Sequence, residues 1–83
     1  MKGTIFHQHE TRNLCSVQLE NGDYTVIELL LNSKVHFGDC VSGKLNDEGF
    51  TTLSNDTSLT SFEANVLYVQ CTKVEALQKT ILV

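Results

Sequence analysis

Aromatic residues, basic residues and cysteines are all scarce in this chain, and proline and tryptophan are absent. No apolar run approaches the roughly 20 residues that a membrane-spanning helix needs. The first residues, Met1-Lys2-Gly3-Thr4, lack the basic start, apolar stretch and cleavage site of a signal peptide. The 83 residues therefore predict one small domain that is cytoplasmic and does not span a membrane in this segment.

Positive charge is also in short supply. Six lysine and arginine residues stand against ten acidic residues, for a net charge of −4. This balance argues against a dedicated polyanion binder, because non-specific affinity for nucleic acid comes largely from cations that displace phosphate counterions. It leaves room for a local basic stripe.

The three cysteines, Cys15, Cys40 and Cys71, are widely spaced and form no C-x-x-C motif. Their odd number argues against a disulfide framework, and their spacing gives no support to a zinc knuckle. Free thiols in a reducing compartment are expected. His7 and His9 would share a strand face, but no further ligand has supporting spacing, so neither a metal nor another cofactor is predicted.

Catalysis is not expected either. A nucleophilic cysteine needs a neighbouring base in a cleft. Cys15 and Cys71 lie in apolar strand segments, where burial raises the pKa of a thiol and makes it inert. Since the sequence also shows no general acid–base carboxylate pair, it predicts a protein that is not an enzyme.

The dominant hydrophobic period is two, which is typical of half-buried strands. Asn21-Gly22 is a hairpin signal because both residues tolerate positive φ, and Gly43 indicates a bulge or a close backbone approach. The polar segment from Ser54 to Ser61 is predicted to be a loop. Five or six short strands with glycine turns predict a small barrel or sandwich. The predicted strands are Thr4–His7, Cys15–Leu19, Tyr24–Leu30, Asp39–Leu45, Phe50–Leu53 and Ala64–Cys71.

The C-terminal segment has a different pattern. Val74, Leu77 and Ile81 fall at i, i+3 and i+7, which predicts a helix. Thr72 and Glu75 have the spacing of a capping box at its start. The predicted division is therefore a β domain over residues 1–72, followed by a short helix or the start of a linker over 73–83. The segment either packs on the barrel or leads into a longer protein.

Four landmarks in order resemble the cold-shock domain family. Gly3-Thr4-Ile5 resembles the family's opening G-x-V, and Glu20-Asn21-Gly22 its polar turn before the third strand. Phe37–Val41 resembles its G-[DQ]-x-V entry into the fourth strand, and Ala64-Asn65-Val66 its closing A-N-V. The resemblance covers Gly3 to about Gln70. It implies an all-β fold, a small five-stranded OB-type barrel that binds single-stranded nucleic acid, here followed by a short C-terminal helix.

The family's binding motifs are only partly present. Its first motif, K-G-[FY]-G-F-[IV], matches a stretch in which Arg12 and Val17 keep the basic and aliphatic positions. Leu14 and Ser16 replace both stacking aromatics. Its second motif, V-F-V-H-F, matches Thr25–Leu29, which contains no aromatic residue.

These losses matter for affinity. Stacking of one base on one aromatic ring contributes about 1–3 kcal/mol, so losing most of the family's rings removes most of its usual affinity. Glu28 would also repel phosphate if it lies on the binding face. The sequence therefore predicts a module with weak or altered binding of single-stranded DNA or RNA.

The candidate binding residues that remain are Lys2, Phe6, His7 and Arg12. The two cations would contact phosphates, and the rings would stack on unpaired bases, as imidazoles can. His7 stands where the family has a first-strand tryptophan. The alternative is that His7 and His9 are exposed strand residues without a partner.

Further contacts are predicted for the loop after the third strand, because OB folds often hold ligands with such loops. Lys34 and His36 are its candidates. In the alternative interpretation, Phe37 plugs the barrel end and the two polar side chains are solvated.

A second function follows from the apolar run after the third strand. Alternation would bury Leu29 and Leu31 and turn Leu30 outward. If Leu30, Val26 and Leu14 share the outer face, that face is apolar, which is typical of a protein contact. The alternative function is thus a protein-interaction or linker domain of a longer protein, attached to a membrane or not, in which nucleic-acid binding is lost. Equally, the apolar stripe of the C-terminal helix could cover this face.

Overall fold

A computed structural model of the protein describes residues 1–9, 11–31 and 33–82. Within these residues the chain forms six strands and one helix. They are β1 (Lys2–Gln8), β2 (Leu14–Leu19), β3 (Tyr24–Leu29), β4 (Cys40–Ser42), β5 (Gly49–Asn55), β6 (Thr60–Cys71) and α1 (Lys73–Thr80).

The strands close into a barrel in the order β1-β2-β3-β6-β5-β4. Two three-stranded meanders, β1–β3 and β4–β6, are joined by antiparallel β1–β4 and β3–β6 ladders. The prediction of a closed all-β barrel with a short C-terminal helix is confirmed. The barrel has six strands, one more than the five that the cold-shock resemblance implies.

The β5–β6 hairpin is longer than predicted. The segment from Ser54 to Ser61 was expected to be a loop, but Ser54 pairs with Ser61 and Asn55 with Thr60. The buried Asn55 side chain accepts hydrogen bonds from the backbone N–H groups of the turn residues Thr57 and Ser58 at 3.1 and 3.2 Å. Because this amide satisfies the turn backbone, the polar residues on either side stay in the ladder.

The barrel interior is filled by the residues of the alternating strands that point inward. Its one buried hydroxyl on β3 belongs to Thr25, which donates a 2.8 Å hydrogen bond to the carbonyl of Leu45. The interior cluster consists of Ile5, Cys15, Val17, Leu19, Ile27, Leu29, Val35, Val41, Leu45, Leu53, Phe62, Ala64 and Val66.

Two glycines fit tight backbone positions. At the β2–β3 turn only Gly22 has positive φ (93°), and its N–H donates to the carbonyl of Leu19 at 3.0 Å. Gly43 has φ of 141°, and a Cβ there would lie 2.7 Å from Cδ2 of Leu53. Gly43 thus marks a close approach, although the close atom belongs to the Leu53 side chain and not to the backbone.

The end of β3 differs from the expected alternation. β3 stops at Leu29, and Leu31 has a positive φ of 54° and is 83% exposed. The prediction that Leu31 is buried is wrong, because the chain turns before the alternation reaches it. Leu30 is half-buried, and its N–H donates to the carbonyl of Glu63 at 3.0 Å.

α1 begins as predicted but packs through a different face. Thr72 and Glu75 form the capping box, with bonds of 2.9 and 3.2 Å. The buried helix residues are Ala76 and Thr80, whereas Val74 is 63% exposed. The predicted contact stripe of Val74, Leu77 and Ile81 is therefore wrong, because a different side of the helix faces the barrel. Among the described residues, no helix is both long and apolar enough to cross a membrane.

Candidate functional site

A β-bulge brings two neighbouring rings to one side of the barrel. Ile5 pairs with Val17 and His7 with Ser16, so Phe6 is an extra residue in β1 without its own partner on β2. A bulge interrupts the alternation of side chains. Both Phe6 and His7 therefore lie on the outer face, whereas an unbroken strand would place them on opposite sides.

Phe6 is the centre of a cluster of side chains that we call the ring cluster: Phe6, His7, Tyr24, Phe37 and Lys73. Ring centroids of Phe6 lie 4.5 Å from His7, 5.7 Å from Tyr24 and 6.2 Å from Phe37. The first two pairs have the edge-on geometry that aromatic rings favour. The Nζ of Lys73 lies 5.1 Å from the Phe6 centroid, within the range of a cation–π contact.

Phe37 is the accessible member of the ring cluster. It is 72% exposed, and the alternative in which it plugs the barrel end is wrong. Val35, two residues earlier, is the residue of this loop that is buried in the interior cluster. Phe37 is thereby left beside Phe6 with most of its surface open.

His7 is oriented by its neighbours. Its Nδ1 shares a 2.9 Å hydrogen bond with the hydroxyl of Ser16. Desolvation, and then the nearby Lys73 ammonium, lower the pKa of His7 below its ordinary 6.5. The alternative of a histidine without a partner is wrong here, and a neutral imidazole at pH 7 is suited to stacking.

α1 covers the part of the outer face next to the ring cluster. Ser16 and Val26 point outward, yet each is fully buried. Val26, Tyr24 and Ala76 form one packed cluster with Cys71, against which Phe6 also packs. Of the apolar face proposed from the sequence, Val26 is covered by the C-terminal helix, although through Ala76 and not through the predicted stripe.

A second cation–π contact lies at the other end of the helix. The Nζ of Lys79 is 4.2 Å from the ring centroid of Tyr68. Tyr68 is the cross-strand partner of Val26 on β6 and is 41% exposed. We call Phe6, Tyr24, Val26 and Tyr68 the covered face: Tyr24 and Val26 are buried, whereas Phe6 and Tyr68 stay partly exposed and contact the two lysines of α1.

The predicted cations do not converge on these rings. Lys2 lies at the start of β1, where its backbone N–H donates to Oε1 of Glu20 at 3.3 Å. Arg12 lies in the β1–β2 loop at the far end of the same hairpin, with its backbone N–H donating to Nδ1 of His9 at 3.2 Å. The four site residues predicted from the sequence therefore lie in three separate places. Of the four, only Phe6 and His7 are in contact.

The loop candidates Lys34 and His36 lie together on a pocket of about 280 Å³ at one end of the barrel. His9 lines the same pocket, and its Nδ1 accepts backbone hydrogen bonds in the adjacent loop. The Nδ1 of His36 lies 3.8 Å from a carboxylate oxygen of Asp39. Hydrogen bonds from the Asn55 amide and then from the His36 backbone lower the pKa of Asp39.

Sequence patterns missed the tyrosines and lysines of this region. Tyr24 points outward because it alternates with Val26 along β3, a signal that the sequence contains but that the cold-shock motifs do not include. Lys73 and Lys79 reach the rings only because α1 folds back on the barrel. Among the described residues, no three His, Cys, Asp or Glu side chains gather as metal ligands.

Comparison with protein-family models, with curated proteins and with solved structures gives no match to this chain. The cold-shock resemblance thus stays a prediction carried by the landmarks quoted above.

Proposed function

We propose that this protein is a binding module for single-stranded DNA or RNA, with the ring cluster as its accessible contact. The observation that carries this is the exposed Phe37 ring beside Phe6 and His7, with the Lys73 ammonium at the same place. A base can stack on such a ring, and a nearby cation can contact its phosphate. The cold-shock resemblance supports the same ligand class.

The proposed affinity is weak. One or two accessible rings contribute about 1–3 kcal/mol for each stacked base, and the net charge of −4 opposes a polyanion. We assign no catalytic role, since burial raises the pKa of the Cys15 thiol to about 11. The free cysteines fit a reducing compartment such as the cytoplasm.

The test is an amide-shift titration with a short mixed-sequence single-stranded oligonucleotide at low and moderate salt. Saturable shifts centred on Phe6, His7 and Phe37, weaker at higher salt, are expected. Phe37→Ala should weaken binding at least about fivefold, in line with the loss of one stacking ring.

Phe50→Ala is the matched control, because Phe50 is 78% exposed and lies on β5, outside the ring cluster. It removes the same ring without touching the proposed site. Equal affinities for the wild type, Phe37→Ala and Phe50→Ala, or no shifts with millimolar oligonucleotide, would overturn the proposal.

A second candidate function, protein interaction, is favoured by exposed apolar side chains on α1 and directly after it. Val74 and Leu82 are 63% and 69% exposed, and Ile81 is also exposed. An apolar side of a helix that is left in water is typical of a contact with another chain or segment. Sedimentation of the wild type and of Val74→Gln over a range of concentrations tests self-association through this side.

A further inference from the structure

We propose that α1 is a displaceable lid, which competes with single-stranded nucleic acid for the covered face. This inference rests on the proposed function and concerns the regulation of the same site. Phe37, the accessible ring of the ring cluster, would take the first base, and opening of the lid would uncover Tyr24 and free the rings of Phe6 and Tyr68 from their lysines.

The covered face has more rings than the binding motifs indicate. Tyr24 and Tyr68 flank the outward Val26, one along β3 and one across on β6. Tyr24 is only 6% exposed and packs edge-on against Phe6. With the lid open, the touching rings of Phe6 and Tyr24 and the ring of Tyr68 across from Val26 would all be open to stacking on the same outer face.

The lid is held by a small contact. Its buried side consists of Ala76, which has one methyl group, and Thr80. The hydroxyl of Thr80 is buried with no hydrogen-bond partner among the described residues. An unsatisfied buried hydroxyl destabilises the docked state, and a helix of eight residues is marginal alone in water.

The contacts that hold the lid are those that a nucleic acid could replace. Lys73 and Lys79 each place an ammonium by a ring, Phe6 and Tyr68 respectively. A base that stacks on either ring takes the place of the ammonium, and the released lysine can then contact a phosphate. Exchange of ring–cation contacts for ring–base and cation–phosphate contacts makes opening and binding one coupled equilibrium.

Two variants on the buried side of the lid should shift this equilibrium in opposite directions without changing charge. Ala76→Gly lowers helix propensity and should tighten oligonucleotide binding about threefold to fivefold, because a larger fraction of molecules is open. Thr80→Val keeps the shape, removes the unpartnered hydroxyl, and should weaken binding about threefold or more.

Hydrogen exchange of the α1 amides reports on the lid without any ligand. Exchange should be faster in Ala76→Gly and slower in Thr80→Val than in the wild type. Gly22→Ala is the control for general loss of stability, because Gly22 lies in the β2–β3 turn and a Cβ there meets nothing within 4 Å. It should leave affinity unchanged.

The outcomes separate the lid from the binding function. If both lid variants bind the oligonucleotide with wild-type affinity although their α1 amides exchange at altered rates, the lid proposal is wrong. The proposed binding function of the ring cluster is then unaffected. Absence of binding in every variant, including the opened one, would overturn both. Opposite changes of affinity that follow the exchange rates would establish the lid.

Discussion

At the scale of single residues, Gly43 shows how closely the barrel strands approach. Its φ of 141° is unfavourable for other residues, and a Cβ would lie 2.7 Å from Cδ2 of the buried Leu53. Gly22 shares the positive φ but would meet nothing within 4 Å. Comparing the same substitution at the two glycines therefore separates the cost of backbone strain from the cost of steric overlap.

We expect Gly43→Ala to lower the free energy of unfolding by about 1–3 kcal/mol more than Gly22→Ala does, because the methyl group overpacks the core as well as straining the backbone. Urea unfolding of the two variants and the wild type measures the difference. Equal losses in the two variants would show that Leu53 moves aside at no cost.

His7 couples the ring cluster to pH. Since its pKa in the folded protein is lowered below 6.5, the unfolded chain binds a proton more readily than the folded chain between these two values. The contribution of neutral His7 is fully present above about pH 6.5 and is lost as pH falls through the folded pKa. The free energy of unfolding should therefore decrease between pH 7.5 and pH 5.

Unfolding in urea at several pH values checks this slope, with His7→Gln as the comparison because an amide can keep the bond to Ser16. The variant should show a smaller decrease over the same range. The lowered pKa values of Asp39 and Glu75 affect stability only below their ordinary 3.8 and 4.5. An identical slope in both proteins would contradict the role of His7.

At the scale of secondary-structure elements, α1 combines a well-formed start with a weak contact. The Thr72 side chain accepts from the backbone N–H of Glu75, while the Glu75 carboxylate accepts from the backbone N–H of Thr72. Both bonds are local to the first turn. The cap therefore favours the helix itself, whether it is docked or not.

Thr72→Ala should destabilise α1 by about 1 kcal/mol through loss of this cap. We expect faster hydrogen exchange of the α1 amides, with little change for the amides of β1–β3. Thr57→Ala, an exposed threonine of the β5–β6 turn, is the comparison and should leave α1 exchange unchanged. Unchanged exchange in Thr72→Ala would show that docking alone maintains the helix.

The barrel strands were easier to predict than their faces. Alternation in β2 and β3 predicts which residues point inward, and the interior cluster contains Cys15, Val17 and Ile27 as expected. Phe6 and His7 could not be placed together in this way, because the bulge arises from the pairing of β1 with a distant strand. The rotation of α1 is likewise set by what it meets, since Ala76 fits against Val26 and a bulkier residue such as Val74 points away.

At the scale of the whole molecule, acidic charge limits any contact with nucleic acid. Glu28 lies on the outer side of β3, two residues and about 7 Å along the strand from Val26. A phosphate brought to the covered face therefore approaches this carboxylate. If single strands bind this outer face as proposed, Glu28 opposes their phosphates.

Glu28→Gln should tighten oligonucleotide binding about twofold to threefold at low salt, and the gain should shrink as salt screens the charge. Glu48→Gln removes the same charge from the exposed β4–β5 turn and should change affinity less. Titrations at two salt concentrations measure both variants. An equal gain from both would mean that net charge matters, with no special position for Glu28.

The sequence alone determined the elements and the barrel class. Period-two alternation, the Asn21-Gly22 turn and the capping box of Thr72 with Glu75 all depend on residues a few positions apart, so they can be predicted without knowing the partners of each strand. Tertiary structure decided the length of the β5–β6 hairpin, the exposure of Phe37, the contact of Phe6 with His7 and the covering of Val26 by α1. Each of these depends on strand pairing or packing between distant segments, where bulges and close contacts choose the face that a side chain occupies.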